Sequence, residues 1–249
     1  MMTSRKLSTL LATVVGAALL AGCGADADAA GSSTPAPDRS PTAPATTPSE
    51  APVDPDALVR PVEVRRADLP EGYGADQFQR GDEVEGQVSL DLCAATFPSE
   101  QLRTARHQVR YALEGLDPSG SDDLSDSAWV STETVAYRPG GAEQAMQELR
   151  DAVASCPSGY VPSVIANVPD LRTTITPMRP AAGWQADHLA VVNTIEFRTG
   201  ESLRLALVYQ RRGDVLAMVY VPAGVRGRGE GLARRTATLL SERLATALP

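Results

Sequence analysis

Apolar and polar residues alternate along several stretches in the second half of the chain. In residues 202–210, Leu or Tyr occupies every second position from 203 to 209. A period of two predicts a strand with two different faces. Gly200 and Gly213 lie in short connections between such stretches, which is typical of hairpins. We therefore predict antiparallel strands at residues 171–178, 189–198, 202–210 and 215–221.

The strand pattern of the first half is less regular. Residues 103–113 alternate between apolar and charged or polar side chains. This predicts a strand with one face in solvent, although a helix is also compatible with the pattern. On that strand, Arg106 and Arg110 would be solvated charges. We predict two further strands, at residues 129–138, which are rich in β-branched and aromatic residues, and at residues 89–92.

Two segments have the period of amphipathic helices. In residues 142–155 the apolar side chains recur every three or four positions and form one continuous stripe, and residues 232–248 follow the same rule. Strands joined by tight turns make an antiparallel sheet, and the helices must cover an apolar face of it. We predict an α+β fold, an antiparallel sheet with two main amphipathic helices packed on it.

The N-terminus has the features of an export signal. The basic pair Arg5 and Lys6 precedes an apolar run at residues 7–20 that is too short to span a bilayer. The run ends in Leu-Ala-Gly-Cys at residues 20–23, which is typical of a lipoprotein signal. We expect residues 1–22 to be removed and Cys23 to carry diacylglycerol, which would anchor the protein on the outer side of the cell membrane. A plain secretory signal with an incidental Cys is the alternative.

Residues 23–56 consist largely of Ala, Pro, Ser and Thr, with almost no bulky apolar side chain. Such a segment cannot bury enough surface to offset the entropy of ordering, so we predict a disordered tether. Residues 57–249 are then one domain with a single core. Lys6 is the only Lys of the chain, so the processed protein has no Lys for Schiff-base or general-base chemistry. The excess of acidic residues, 31 against 23 basic, argues against nucleic-acid binding.

Two cysteines remain after Cys23 is assigned to the lipid. In an exported domain, Cys93 and Cys156 most simply form one disulfide. Cys156 continues the apolar stripe of the helix predicted at residues 142–155, which would direct its sulfur toward the core. The alternative, a redox-active pair or a metal site, requires CxxC spacing or neighbouring His residues, and the sequence has neither.

Several of these features occur together in a known group of proteins. An Asp-Leu-Cys at residues 91–93 before an Arg-rich strand, a Val-Ala-Tyr-Arg strand at 135–138, and an Ala-rich helix that closes at Cys156 resemble actinobacterial lipoproteins. These are similar to the extracytoplasmic sensor domain of mycobacterial PknH-type Ser/Thr kinases. The resemblance implies an antiparallel sheet with flanking helices and a cleft for an unidentified ligand. One departure is that the kinase domain looks to carry two disulfides, whereas this chain can form one.

We find no recognised catalytic or metal-binding motif. His107 and His188 belong to no HxxxH or HExxH pair, so a helical zinc site has no ligands at the needed spacing. No GxSxG nucleophile turn is present. His188 follows Asp187, and a triad with a distant Ser is an open alternative to a structural His. The acidic residues 117–126 suit a solvated loop better than a Ca²⁺ site, because Gly120 does not match an EF-hand.

The Gly-rich residues 224–231 precede the last predicted helix. Glycines at a helix N-terminus expose backbone N–H groups, and Arg226 and Arg228 could hold an anion there. A simple flexible connector has the same composition.

Three hypotheses for function follow. The first is a lipid-anchored, non-enzymatic ligand-binding or sensor-like domain that takes a small apolar or amphipathic ligand between sheet and helices, without a cofactor. The second is a module that docks an envelope protein or a cell-wall polymer. The third is a hydrolase with unrecognised geometry. A cleft with an apolar floor would favour the first, and a flat exposed apolar patch the second.

Overall fold

A computed structural model describes residues 54–76, 81–113, 129–162, 170–224 and 228–248. All of them belong to one compact unit. The predicted leader, the lipidation residue Cys23 and most of the predicted tether lie outside the described residues, as do the acidic residues 117–126. The first helix, α1 (Pro55–Val59), begins two residues before the predicted domain boundary, and the Asp54 carboxylate caps it by accepting the Asp56 N–H at 3.1 Å.

Within the described residues, seven strands form one antiparallel sheet, so the predicted α+β class is confirmed. Gly200 and Gly213 adopt positive φ angles of 91° and 55° in the hairpin turns, as the sequence suggested. In spatial order the strands run β1, β2, β3, β7, β6, β5, β4. Their bounds are Tyr73–Asp76 for β1, Arg103–Leu113 for β2, Trp129–Tyr137 for β3, Leu171–Pro177 for β4, Asp187–Phe197 for β5, Ser202–Arg212 for β6 and Val215–Pro222 for β7.

The strand predicted at residues 89–92 is wrong. This segment is a loop that lies over the sheet, and a carboxylate holds its backbone instead of a neighbouring strand. Glu100 accepts the N–H groups of Ser89 at 3.0 Å and Leu90 at 3.1 Å. The apolar Leu90 and Leu92 are buried, which explains why the segment resembled a strand in sequence.

One face of the sheet is covered by α1 and by the long helix α3 (Arg228–Ala247). Helix α3 packs on β6 and β7, and α1 packs on β2 and β3. The core between them is aliphatic, with buried Leu232, Leu240 and Leu244 from α3 facing small and β-branched residues of the strands. We call this side of the sheet the first face.

The second face is covered by helix α2 (Gly141–Ala154). The stripe predicted from sequence is the side of α2 that is buried against β3, β5 and β6: Ala142, Ala145, Met146, Leu149 and Ala152. A disulfide joins Cys156, just beyond α2, to Cys93, in agreement with the sequence prediction. Gly141 is required by close packing, because a Cβ there would lie 2.9 Å from the Cβ of Tyr137.

No helix among the described residues is long and apolar enough to cross a membrane.

Candidate ligand-binding cleft

Helix α3 begins at Arg228, four residues earlier than the sequence suggested, so the second half of the Gly-rich stretch is helical. Gly229 is buried, and a Cβ at this position would lie 1.8 Å from the carbonyl oxygen of Pro222. This glycine therefore allows the first turn of α3 to contact the end of β7. Arg226, the other residue predicted to hold an anion, lies outside the described residues.

An open groove runs along the side of α3 where the helix meets the ends of β1 and β2 and the turn at residues 68–70. Its wider part is a cleft of about 510 Å³ between the first turns of α3, the end of β1 and the end of β2. A neighbouring cleft of about 330 Å³ continues along the helix past the turn at residues 68–70. Pro70, Leu232 and Arg235 line both parts. The wider part is also lined by Glu71, Tyr73, Leu113, Arg228 and Gly231, and the narrower part by Asp68, Leu69, Thr236 and Leu239.

The wall opposite α3 is fixed by ionic contacts. Asp68 accepts hydrogen bonds from Arg243 of α3 at 2.8 and 2.9 Å, and from the Arg65 N–H at 2.6 Å. Arg243 also bonds the carbonyl of Glu63. These contacts hold the segment before β1 against the helix, so the groove is built by elements that are tied to one another.

The groove combines an apolar floor with two cationic side chains. Leu113 and Leu232 lie on the floor of the wider part. Arg228 and Arg235 are seven residues apart on α3 and therefore lie on the same side of the helix. Arg235 is exposed and makes no hydrogen bond or ion pair with the described residues. Burial raises the pKa of the Tyr73 hydroxyl, and the nearby positive charge of Arg235 opposes that shift.

Of these lining residues, Arg228 was predicted from the sequence as a candidate anion ligand. Arg235 was missed because the helix was expected to begin at residue 232, which hid the i, i+4, i+7 spacing of Arg228, Leu232 and Arg235. Tyr73 and Leu113 come from β1 and β2, and the pairing of these strands is what brings them to α3. The spacing of the arginines on α3 could have been found in the sequence, whereas the pairing of β1 with β2 could not.

A cluster of buried charges lies on the second face. Arg106 is 3% exposed, so its predicted solvation is wrong. Its Nε donates to the buried Glu133 carboxylate at 2.5 Å, and its NH1 group donates to the carbonyl of Gly81 at 3.0 Å. The Glu133 carboxylate also accepts the Ser89 hydroxyl at 2.5 Å. Burial raises the pKa of Glu133, and the charge of Arg106 opposes that effect.

Arg103 continues this cluster. It donates to the carbonyls of Val84 and Gln87, and to the Ser89 hydroxyl at 2.8 Å. The Tyr220 hydroxyl donates to the Ser89 carbonyl at 3.0 Å. The buried charges thus hold residues 81–92, which we call the strap, across the sheet.

The histidines are engaged in structural contacts. The Nδ1 atom of His188 lies 2.8 Å from the carbonyl oxygen of Gln185, and its ring meets Trp184 edge-on at 5.7 Å. The Asp187 carboxylate binds Arg211 and Arg150. Asp187 and His188 are therefore not arranged as part of a triad.

His107 lies beside acidic side chains on the first face. Its Nδ1 atom is 2.5 Å from an oxygen of Asp82, and its Nε2 atom is 3.5 Å from Glu63. Although burial alone would raise the pKa of Asp82, the contacts with His107 and Arg60 bring it below its usual value. Within the part of the chain that the structure describes, no group of three or more His, Cys, Asp or Glu residues is placed to hold a metal ion.

No protein-family model matches the sequence, and no curated protein matches it. Among solved structures, the fold is similar to the extracellular domain of PknH from Mycobacterium tuberculosis. The two share 14% sequence identity at a TM-score of 0.48, over 78% of this chain and 98% of that chain. The resemblance to PknH-type sensor domains that the sequence suggested is thus found in the structure as well.

Proposed function

We propose that this protein is a non-enzymatic, lipid-anchored binding domain outside the cytoplasmic membrane, and that a small amphipathic ligand binds in the groove along α3. The observation that carries the proposal is the groove itself, with a leucine floor beside Arg228 and Arg235. Its wider part, at about 510 Å³, falls in the size range of small-molecule sites, roughly 300–1,000 Å³.

Other contacts support a binding role over catalysis. A general base must reach the group from which it removes a proton. Within the described residues, neither histidine lines the groove, and the Nε2 atom of His107 is buried away from solvent. The polar side chains of the groove are two arginines, two carboxylates, a threonine and a tyrosine, and none of them is a histidine or a cysteine.

The docking hypothesis is less well supported. A docking surface is expected to be a contiguous exposed apolar patch. Among the described residues, the large apolar side chains that are strongly exposed are Val88 and Tyr160, which belong to separate segments. We therefore favour the groove as the site.

The proposed lipid on Cys23 would keep this groove near the membrane. With diacylglycerol on Cys23, the tether of about 33 residues would let the domain move at most on the order of 100 Å from the surface. A Cys23→Ser variant is expected to leave the membrane fraction when cells are fractionated. If that variant stays membrane-bound with the same processing, the lipid anchor is refuted.

Native mass spectrometry tests the groove. The protein would be released from its own cell envelope and examined for a co-purifying small molecule. Gly231 lines the groove, and a Cβ there would meet nothing closer than the Arg235 guanidinium at 3.6 Å, so Gly231→Phe should fill the space without moving the backbone. Gly159→Phe is the matched control, because nothing lies within 4 Å of a Cβ there.

We expect the wild type and the Gly159→Phe variant to carry the molecule and the Gly231→Phe variant to lack it. A molecule retained by the Gly231→Phe variant would place the site elsewhere. No bound molecule on any of the three proteins, together with no binding of added amphiphiles, would refute the ligand-binding role.

A further inference from the structure

We infer that the ligand of the groove is an amphiphile with an anionic head, with the head held between Arg228 and Arg235 and its apolar chain running along α3 toward Leu239. This inference rests on the proposed function and adds the charge of the ligand and its direction in the groove.

The direction follows from the order of side chains along the helix. Arg228 is the first residue of α3 and lines the wider cleft, and Leu239 lines the narrower one. Between them lie Leu232, which is almost fully buried, and Arg235. At 1.5 Å per residue, about 10 Å separate Arg228 from Arg235, which leaves room for the head, and the groove continues for about 6 Å from Arg235 to Leu239 beside the apolar Leu69 and Pro70.

The charge of the ligand follows from the state of the ionic groups along the groove. Asp68 is already held by Arg243, with hydrogen bonds of 2.8 and 2.9 Å. The other charged side chains that line the wider cleft are Glu71, which is exposed, Arg228, which has a contact of its own, and Arg235. Arg235 has no hydrogen bond or ion pair with the described residues, so an incoming anion would displace no internal partner of this side chain.

The chemistry of the two arginines favours a phosphate or a carboxylate. A guanidinium offers parallel N–H donors that match the oxygens of these anions, and such charge-assisted bonds are about twice as strong as neutral ones. The N-terminal end of α3 adds a partial positive charge at Arg228. Glu230 does not oppose this within the groove, because it does not line the groove and pairs with Arg234 at 3.6 Å.

Calorimetry with defined probes tests the inference. The protein would be the chain from residue 23 carrying Cys23→Ser, so that no acyl chain of its own competes. The probes are dodecyl phosphate, dodecyl maltoside, dodecyltrimethylammonium and inorganic phosphate, each kept below the concentration at which micelles form. Dodecyl phosphate is expected to bind about tenfold or more tightly than dodecyl maltoside, which corresponds to one charge-assisted contact.

A pair of neighbouring arginines supplies the control. Arg235→Gln should abolish the preference for dodecyl phosphate, because Arg235 lines both clefts. Arg234→Gln removes the same charge from the adjacent position, which does not line the groove, and should keep the preference. Both variants should melt close to the wild type, since Arg235 is exposed and Arg234 contributes a partly exposed ion pair.

The outcomes distinguish the anionic head of the ligand from the ligand-binding role itself. Equal binding of dodecyl phosphate and dodecyl maltoside would overturn the anionic head and leave the ligand-binding role standing. Binding of inorganic phosphate as tight as that of dodecyl phosphate would overturn the apolar chain. Loss of the preference in Arg234→Gln would show a general effect of charge and overturn the assigned contact. If none of the probes binds, the proposed function fails as well.

Discussion

Two glycines in the first turn of α3 should respond to alanine in opposite ways. A Cβ at Gly229 would lie 1.8 Å from the oxygen and 2.7 Å from the carbon of the Pro222 carbonyl. These are backbone atoms at the end of β7, so they cannot rotate away as the end of a side chain could. Overpacking typically costs about 1–3 kcal/mol, and we expect the upper end, about 3 kcal/mol, for Gly229→Ala.

Gly231→Ala is the matched control two residues further along the same helix. The nearest group to its Cβ would be the Arg235 guanidinium at 3.6 Å, an ordinary contact. Alanine favours the helix over glycine by up to about 1 kcal/mol, so this variant should be unchanged or slightly more stable.

Thermal unfolding followed by circular dichroism measures both effects. In a domain of this size, each kcal/mol shifts the melting temperature by about 2–4 °C, so Gly229→Ala should melt roughly 6–12 °C below the wild type. A Gly229→Ala protein that melts at the wild-type temperature would show that the first turn of α3 does not contact the end of β7. It would also refute the explanation of this glycine by close packing.

Two further predictions concern ionic contacts. Glu133→Gln leaves the buried Arg106 without its carboxylate and should lower the free energy of unfolding by about 3–5 kcal/mol in urea titrations. Asp170→Asn removes a carboxylate from an exposed ion pair and should lower the free energy of unfolding by no more than about 1 kcal/mol. Equal losses of stability in the two variants would contradict the buried pairing of Glu133 with Arg106. Although burial alone would raise the pKa of Asp187, hydrogen bonds from two arginines bring this pKa below its usual value. The ionised Asp187 therefore stabilises the fold above the unfolded pKa of about 3.9, and this contribution is lost as pH falls through the lower folded pKa. Asp187→Asn should therefore be less stable than the wild type at pH 7, with a difference that shrinks below about pH 4; a difference independent of pH would refute this.

Local periodicity was enough to predict strands β2 to β7 and the helices α2 and α3, but not β1. The alternation in residues 202–210 reflects strand β6, which packs between two helical layers, and the stripe of residues 142–155 is the buried side of α2. Cys156 lies at the end of that stripe and is bonded to Cys93, as the sequence suggested. In each case the signal is carried by residues close together in the chain.

The parts that sequence did not predict depend on contacts between distant segments. Arg106 looked solvated because every second residue beside it is polar, yet it is buried by the strap, a separate segment of the chain that accepts its hydrogen bond through the Gly81 carbonyl. The groove likewise requires Tyr73, Leu113 and Arg235 to meet, and only the pairing of β1 with β2 and the packing of α3 bring them together.

The two faces of the sheet differ in what a ligand would have to displace. On the second face, Arg103, Arg106 and Glu133 are already bonded to the strap, and an anion that entered there would break buried charge-assisted bonds and leave their partners unsatisfied. In the groove on the first face, Arg235 points its charge at solvent and has no partner to lose among the described residues, while the ion pair of Asp68 with Arg243 keeps the opposite wall in place. Binding at Arg235 therefore breaks no bond of that side chain to the described residues and costs mainly its desolvation, and this asymmetry is the physical reason to look for the ligand along α3.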